Sequence, residues 1–583
     1  MMNGRDRQDG QDGLDGIRST LPVLAAPPAL PAPPALPVPP ALLTAAVFYA
    51  FAFVALTWPA ALHFRTHFFA DEGDGLQNVW NIWWVEHALS VLRQSPWQTT
   101  YLHYPYGTTL LGHTLNPFNG FVGIVLSRFM GPIAVHNCVV ILAFALAGLT
   151  AFLLAYHLTR SFSASLLAGF IFTFSNFHFA HAEGHLQLVS LEWIPLFVLL
   201  WLKLLTKPRV GLGVGAALAL WLVILCDYYY FVYCVMSGAI ILVWWAVRNG
   251  GVRALLSPQR VAAFGAFAVI ALATSGVLAG SLLWVNLRDP LTGAHDAAEF
   301  SMDLLAPAIY GGHWRFAELT SPYWKRLPGN MHESSVYLGL SVIVLASYAW
   351  LQRRILRAPE ITLFALLSLV FLVLALGPTP YLAGKAILGK LPVMPYAWLQ
   401  AVFPPLALSG TPVRMMVMVT LSAAILAAYG FGQLTRGSAR DRRAAVVLAC
   451  FLVIEDLPKA IPTTAIATPE YVRVLRDAPG HDGVVDAVSP PTHALLFQTI
   501  HHKPLAFGYL ARLPGSVVAN DAKLTALLQS GRFDRLWPEY RIRFAVAHDP
   551  AGTLSAWAGA VTLWSDGTNR VVDVAGLQPK DLQ

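Results

Sequence analysis

The chain has 583 residues, of which 56% are hydrophobic and 12% charged, with a net charge of +7. A soluble globular domain carries about 25% charged residues. Half that share, a mean hydropathy of +0.55 and repeated long apolar runs exclude a soluble enzyme and imply an all-α polytopic membrane protein. The positive charge requires no nucleic-acid partner, because basic residues of such proteins collect in cytoplasmic loops. No GxxxxGKS/T run and no GxGxxG after a strand occurs, which argues against a nucleotide site.

Residues 1–20 are polar, and 22–40 repeat a Pro-Pro-Ala-Leu-Pro theme. Such a tract favours polyproline II over a packed helix, so 1–40 reads as a disordered tail. Apolar runs then predict spans near 41–62, 134–156, 163–178, 190–205, 211–226, 231–247, 261–285, 334–351, 360–377, 411–433 and 444–460, about eleven transmembrane helices. The segment 116–132 is short and ends in Gly131-Pro132, as a half-span or re-entrant piece does. With a cytoplasmic N-terminus, the inner loops hold Arg160, then Lys203, Lys207 and Arg209, then Arg248, Arg253 and Arg260. Further on they hold Arg353, Arg354 and Arg357, then Arg436, Arg440, Arg442 and Arg443. Every short inner loop is basic, as the positive-inside rule requires. Cys138, Cys226, Cys234 and Cys450 lie in or beside apolar runs and form no CxxC pair, so neither a disulfide framework nor a thiolate metal site is expected.

The outer side collects the chemistry. Its first loop opens on Asp71-Glu72-Gly73-Asp74, followed by a tryptophan-rich helix, GDGLQNVWNIWWVE (73–86). Trp80, Trp83 and Trp84 predict a helix lying at the headgroup level. Acids at the mouth of a span read as functional by default. The structural alternative is an Asp74–Gln77 capping box. Next comes HFAHAEGHLQ, in which His178, His181, Glu183 and His185 offer ligands for a divalent cation, though in no strict metal spacing. The alternatives are a loop cap or direct contact with a phosphate or sugar. Glu333 opens a span, where a helix dipole alone favours an acid. Arg414 enters another span from the outer side, against the charge bias, and suits bidentate phosphate binding. His113, with Tyr104 and Tyr106, completes the first loop. Past residue 465 the composition turns polar, with strand-like runs at 483–488, 544–547 and 560–564, predicting a small extracytoplasmic α/β domain over 465–583 after a membrane domain over 41–464.

The motifs GDGLQNVWNIWWVEH (73–87), HLQLVSLEWIPL (185–196), ESSVYLG (333–339), GTPVRMMV (410–417) and QTIHHKPLAFGYLARLP (498–514), in this order, resemble the C-type glycosyltransferase superfamily over roughly residues 41–515. The resemblance implies many spans with an outer interfacial-helix loop. It also implies transfer of a sugar from a polyprenyl-phosphate carrier to an acceptor on the extracytoplasmic face of a bacterial inner membrane. By motif position Asp74 matches the first-loop catalytic acid, with Asp71 and Glu72 as rivals. His113, His181, His185, Glu333 and Arg414 are then candidates for binding substrate, and a divalent cation is a candidate cofactor that the resemblance does not fix. The partners implied are the lipid-linked donor and membrane lipids. Two other readings stand beside it. A transporter or flippase needs charges or broken helices near the midplane, where few are seen. A non-catalytic scaffold of the same fold is the other, since fold does not establish function.

Overall fold

The structure is a computed structural model that describes residues 39–387, 394–549 and 559–578. The expected Pro-rich tail lies outside them, except for Pro39 and Pro40, which open the first helix. Each apolar run read from the sequence is helical. Among the described residues, five helices are long and apolar enough to cross a membrane: Pro132–Thr159, Leu186–Thr206, Tyr228–Arg248, Pro258–Arg288 and Pro412–Arg436. Phe162–Thr173 and Asn176–Ala182 form a sixth candidate, bent by 44°. Shorter apolar helices cover Pro40–Leu56, Pro117–Leu126, Val210–Cys226, Leu340–Leu351 and Glu360–Ala375. The protein is therefore a mostly helical, multi-pass membrane protein.

Local chemistry sets the breaks. Ser175 restarts the bent pair by accepting from the His178 amide, and Asp227 separates two helices by accepting from the Tyr229 and Tyr230 amides. Both are N-cap bonds, satisfying donors that a helix start leaves unpaired. At the centre stands Met416–Arg436, buried along nearly its whole length. It packs on Leu340–Leu351, Glu360–Ala375 and Phe162–Thr173. Small residues permit this, as membrane helix packing requires. At Gly430 a Cβ would lie 2.1 Å from the Leu345 carbonyl oxygen.

Above this bundle, the first-loop helix Asp74–Glu86 corrects one expectation. Trp80 and Trp84 are fully buried and stack in parallel, centroids 5.7 Å apart, instead of sitting at a headgroup level. The reason is the segment past residue 465, which covers them. A four-stranded sheet runs in the order Gly483–Asp486, Ile542–His548, Asn569–Asp573, Val561–Ser565, its first pair parallel and the others antiparallel. Its Val484, Phe544, Val546 and Val571, with Leu495 and Phe497 of the helix Pro491–His501, join Trp80 and Trp84 in one hydrophobic cluster. Each indole N–H finds a partner: Trp80 donates to Gln498 Oε1 at 2.7 Å and Trp84 to the Pro96 carbonyl at 2.9 Å. A buried indole needs such a partner. The three strand-like runs of the sequence reading are strands here, and Asn569–Asp573 adds a fourth.

Candidate functional site

The first-loop helix starts beside a cavity of about 480 Å³, within the size range of small-molecule sites. Asp74 is the first residue of that helix, and its side chain is 35% exposed. Tyr509 donates to Asp74 Oδ1 at 2.8 Å, and His185 Nε2 lies 3.2 Å from Oδ2. Burial alone would raise the Asp74 carboxyl. The hydrogen bonds from His185 and Tyr509 outweigh it and hold the group below the ordinary carboxylate value.

Asp71 has a different task. Its Oδ1 accepts from the Gly73 and Gly75 amides at 3.0 and 2.9 Å. Asp71, not an Asp74–Gln77 box, thus satisfies the start of the helix. Burial raises its carboxyl, and the charge of Asp74 adds to the rise. Environment therefore pushes the two carboxyls apart. Glu72 is exposed and lies outside the cavity lining. The turn bearing His185 is held against this corner: the Asp71 amide donates to the Glu183 carbonyl at 2.7 Å, and Asn78 Nδ2 to the Gly184 carbonyl at 2.6 Å. Only glycine fits at 184, where a Cβ would lie 2.7 Å from Asp71 Oδ2.

The cavity is also lined by Glu333 and Arg414, both buried. Arg414 Nε donates to both Glu333 oxygens at 3.0 Å, and its Nη2 donates to Oε1 as well. Burial would raise the Glu333 carboxyl, but the guanidinium, with His181, holds it well below the usual range. Arg414 lines the cavity, with its Nε and Nη2 donors already taken by a carboxylate. His181 is fully buried, with Nε2 3.8 Å from Glu333 Oε2 and neither ring nitrogen hydrogen-bonded. His113 is buried outside the cavity lining. Its Nδ1 accepts from the Ala511 amide at 3.2 Å and its Nε2 contacts Asn81 Oδ1 at 2.9 Å. It therefore pins the first loop to the segment 509–512. Burial lowers its imidazole to about 3, against the opposing pull of Asp74.

The expected metal set His178, His181, Glu183 and His185 is not brought together. His178 has both nitrogens on carbonyls, of Thr173 at 2.7 Å and Val189 at 2.9 Å. His181 faces Glu333 and His185 faces Asp74. Glu183 meets His313 and His332, from a different loop.

Two residues of the site come from a segment that the sequence reading quoted only as a pattern. Tyr509 and Arg512 both line the cavity. Arg512 donates to the carbonyls of Leu408, Ser409 and Ala511 and to the Tyr229 hydroxyl, all neutral oxygens. No carboxylate pairs with it among the described residues. Arg512 and Tyr229 also line an adjoining apolar groove with Phe231, Leu282 and Phe403. The polar cavity and the groove thus meet at one uncompensated guanidinium.

No curated protein matches the chain by sequence. Among solved structures, the arabinofuranosyltransferase AftD from Mycobacteria, in a mutant form, is similar at 11% identity and a TM-score of 0.60. The match covers 94% of this chain and 42% of that one. A second AftD structure matches at 12% identity with a TM-score of 0.51, covering 91% and 40%. ArnT from Cupriavidus metallidurans, bound to undecaprenyl phosphate, matches at 13% identity with a TM-score of 0.47, covering 91% and 98%. The chain spans less than half the length of AftD. At these identities the likeness is one of fold alone, shared with AftD. A family model described as a domain of unknown function, DUF6311, matches residues 45–455, and the chain belongs to that family.

Proposed function

We propose that the protein is a membrane glycosyltransferase that moves a sugar from a polyprenyl-phosphate-linked donor to an acceptor hydroxyl. The observation that carries this reading is the junction of the polar cavity with the apolar groove at Tyr229 and Arg512. A lipid-linked sugar phosphate has that shape: an apolar tail, an anion, then a polar ring. The groove takes the first isoprene units, Arg512 the phosphate, and the cavity the sugar. Asp74 accepts the proton as the acceptor oxygen attacks the anomeric carbon. The bond from that carbon to the phosphate oxygen breaks, and its electron pair leaves with the phosphate beside Arg512. An ionised carboxylate in hydrogen-bond reach supplies the base, and a guanidinium supplies charge stabilisation for the leaving group.

The basic inner loops support a cytoplasmic N-terminus; with about eleven spans, as the apolar runs suggest, the site and the C-terminal segment are extracytoplasmic, in a bacterial inner membrane by the resemblance. A cysteine replacing Glu318, which is exposed, is then labelled from outside, and one replacing Arg440 only after permeabilisation. The reverse pattern overturns the orientation.

The reaction is tested with purified protein and a panel of polyprenyl-phosphate-linked sugars in vesicles, reading release of polyprenyl phosphate. Release with at least one sugar supports the transferase. Movement of intact donor across the vesicle without cleavage identifies a flippase. Donor binding with neither outcome identifies a scaffold.

A further inference from the structure

Glu183, His313 and His332 lie beside the cavity, and each offers a ligand atom within 4.8 Å of the others. His313 is 1% exposed, and its Nε2 has no hydrogen-bond partner. That atom faces Glu183 Oε1 at 3.4 Å. The rest of the His313 ring is fixed. Ser335 Oγ donates its one proton to the Met331 carbonyl at 2.8 Å, so the 2.6 Å contact from His313 Nδ1 to Ser335 Oγ has Nδ1–H as donor. His332 Nδ1 lies 3.2 Å from the Ala180 carbonyl and 3.7 Å from Glu183 Oε2. The two imidazole centroids are 5.0 Å apart.

We infer that Glu183, His313 and His332 bind a divalent ion of the zinc class. Two imidazoles and a carboxylate are a common three-residue zinc set, with a fourth position left to another ligand. Ligand atoms about 2.0–2.1 Å from a tetrahedral centre lie about 3.4 Å apart, which is the spacing of His313 Nε2 and Glu183 Oε1. A metal-ligating imidazole donates its other N–H to a fixed oxygen, and Ser335 supplies that oxygen for His313. An ion at this place pins Glu183, and with it the Gly184–His185 turn packed on Asp71 and Asp74. Its role is positioning. The ion site does not depend on the proposed reaction; only its effect on transfer does.

The test uses full-length protein without a histidine tag, stripped with chelator and titrated with Zn²⁺ alone, with no sugar donor present. One ion per chain is expected, with Asp74→Asn binding it as tightly as wild type. Glu183→Gln, His313→Ala and His332→Ala are each expected to weaken binding by at least tenfold. Co²⁺ in the wild-type protein gives a second reading that needs no variant: intense visible d–d absorption marks a tetrahedral site with nitrogen ligands. Failure to bind either ion overturns the inference, and so does binding that survives in Glu183→Gln and His313→Ala. Glycosyl transfer is measured separately, so its absence leaves the ion result standing.

Discussion

The two walls of the cavity carry similar residues and use them differently. On one, Glu333 and Arg414 are buried and neutralise each other. On the other, Asp74 is part exposed and paired only with a tyrosine hydroxyl and an imidazole, and Arg512 has neutral partners. A buried ion pair with filled hydrogen bonds is a fixed structural unit, costly to break and with little left to offer a ligand. A carboxylate and a guanidinium that do not meet leave both charges available. The proposed reaction therefore draws on the wall whose charges are unspent.

The largest effect on stability belongs to the filled wall. Glu333→Ala leaves a buried guanidinium uncompensated and is expected to cost about 3–5 kcal/mol, measured by thermal or denaturant unfolding in detergent. The double variant Glu333→Gln/Arg414→Met is expected to cost less than either single change. Equal costs would mean that the two residues are not one unit. On the open wall, Arg512→Gln is expected to weaken donor binding by about 1.5–3 kcal/mol, roughly 10- to 160-fold, at a stability cost measured separately because Arg512 also bonds three carbonyls. An unchanged donor Kd moves the phosphate elsewhere.

A smaller effect is carried by pH. His113 holds the open wall to the segment 509–512 while neutral, its value lowered to about 3 by burial. An unfolded imidazole titrates near 6.5. The contribution of His113 is thus complete above about pH 6.5 and is lost as pH falls toward 3, at up to about 1.4 kcal/mol per pH unit. Between pH 6.5 and 5.5 stability should fall less steeply in His113→Gln than in wild type, the difference being at most about 1.4 kcal/mol per pH unit. Identical slopes would assign the pH response to other groups. The smallest effect is expected at Glu72, which is exposed: Glu72→Gln should change stability by less than about 0.5 kcal/mol and leave transfer unaltered. A loss of activity there would move the base from Asp74 to its neighbour.

How much of this was legible in the sequence differs residue by residue. Asp74 stands out in the sequence because an acid beside a span is unusual by composition alone. The metal group does not, because Glu183 meets His313 and His332 only through tertiary packing, and local spacing points instead to His178, whose nitrogens the backbone already occupies. The tryptophan helix shows a different limit. A headgroup and a covering sheet both ask for an apolar ring with an N–H partner, so the same residues fit either, and Gln498 was the partner. Arg512 sat within a quoted motif, but nothing local distinguishes an arginine without a carboxylate partner from one in an ion pair. The helices themselves were legible because apolar length is a local property.

The most direct test of the open wall is single-turnover release of polyprenyl phosphate from a preformed complex of protein and lipid-linked sugar, with water or a short-chain alcohol as the surrogate acceptor. It compares wild type with Asp74→Asn at saturating donor. The account predicts unchanged donor binding and release slowed about 10²- to 10⁴-fold, the loss expected for a general base. Release at the wild-type rate in Asp74→Asn would contradict it.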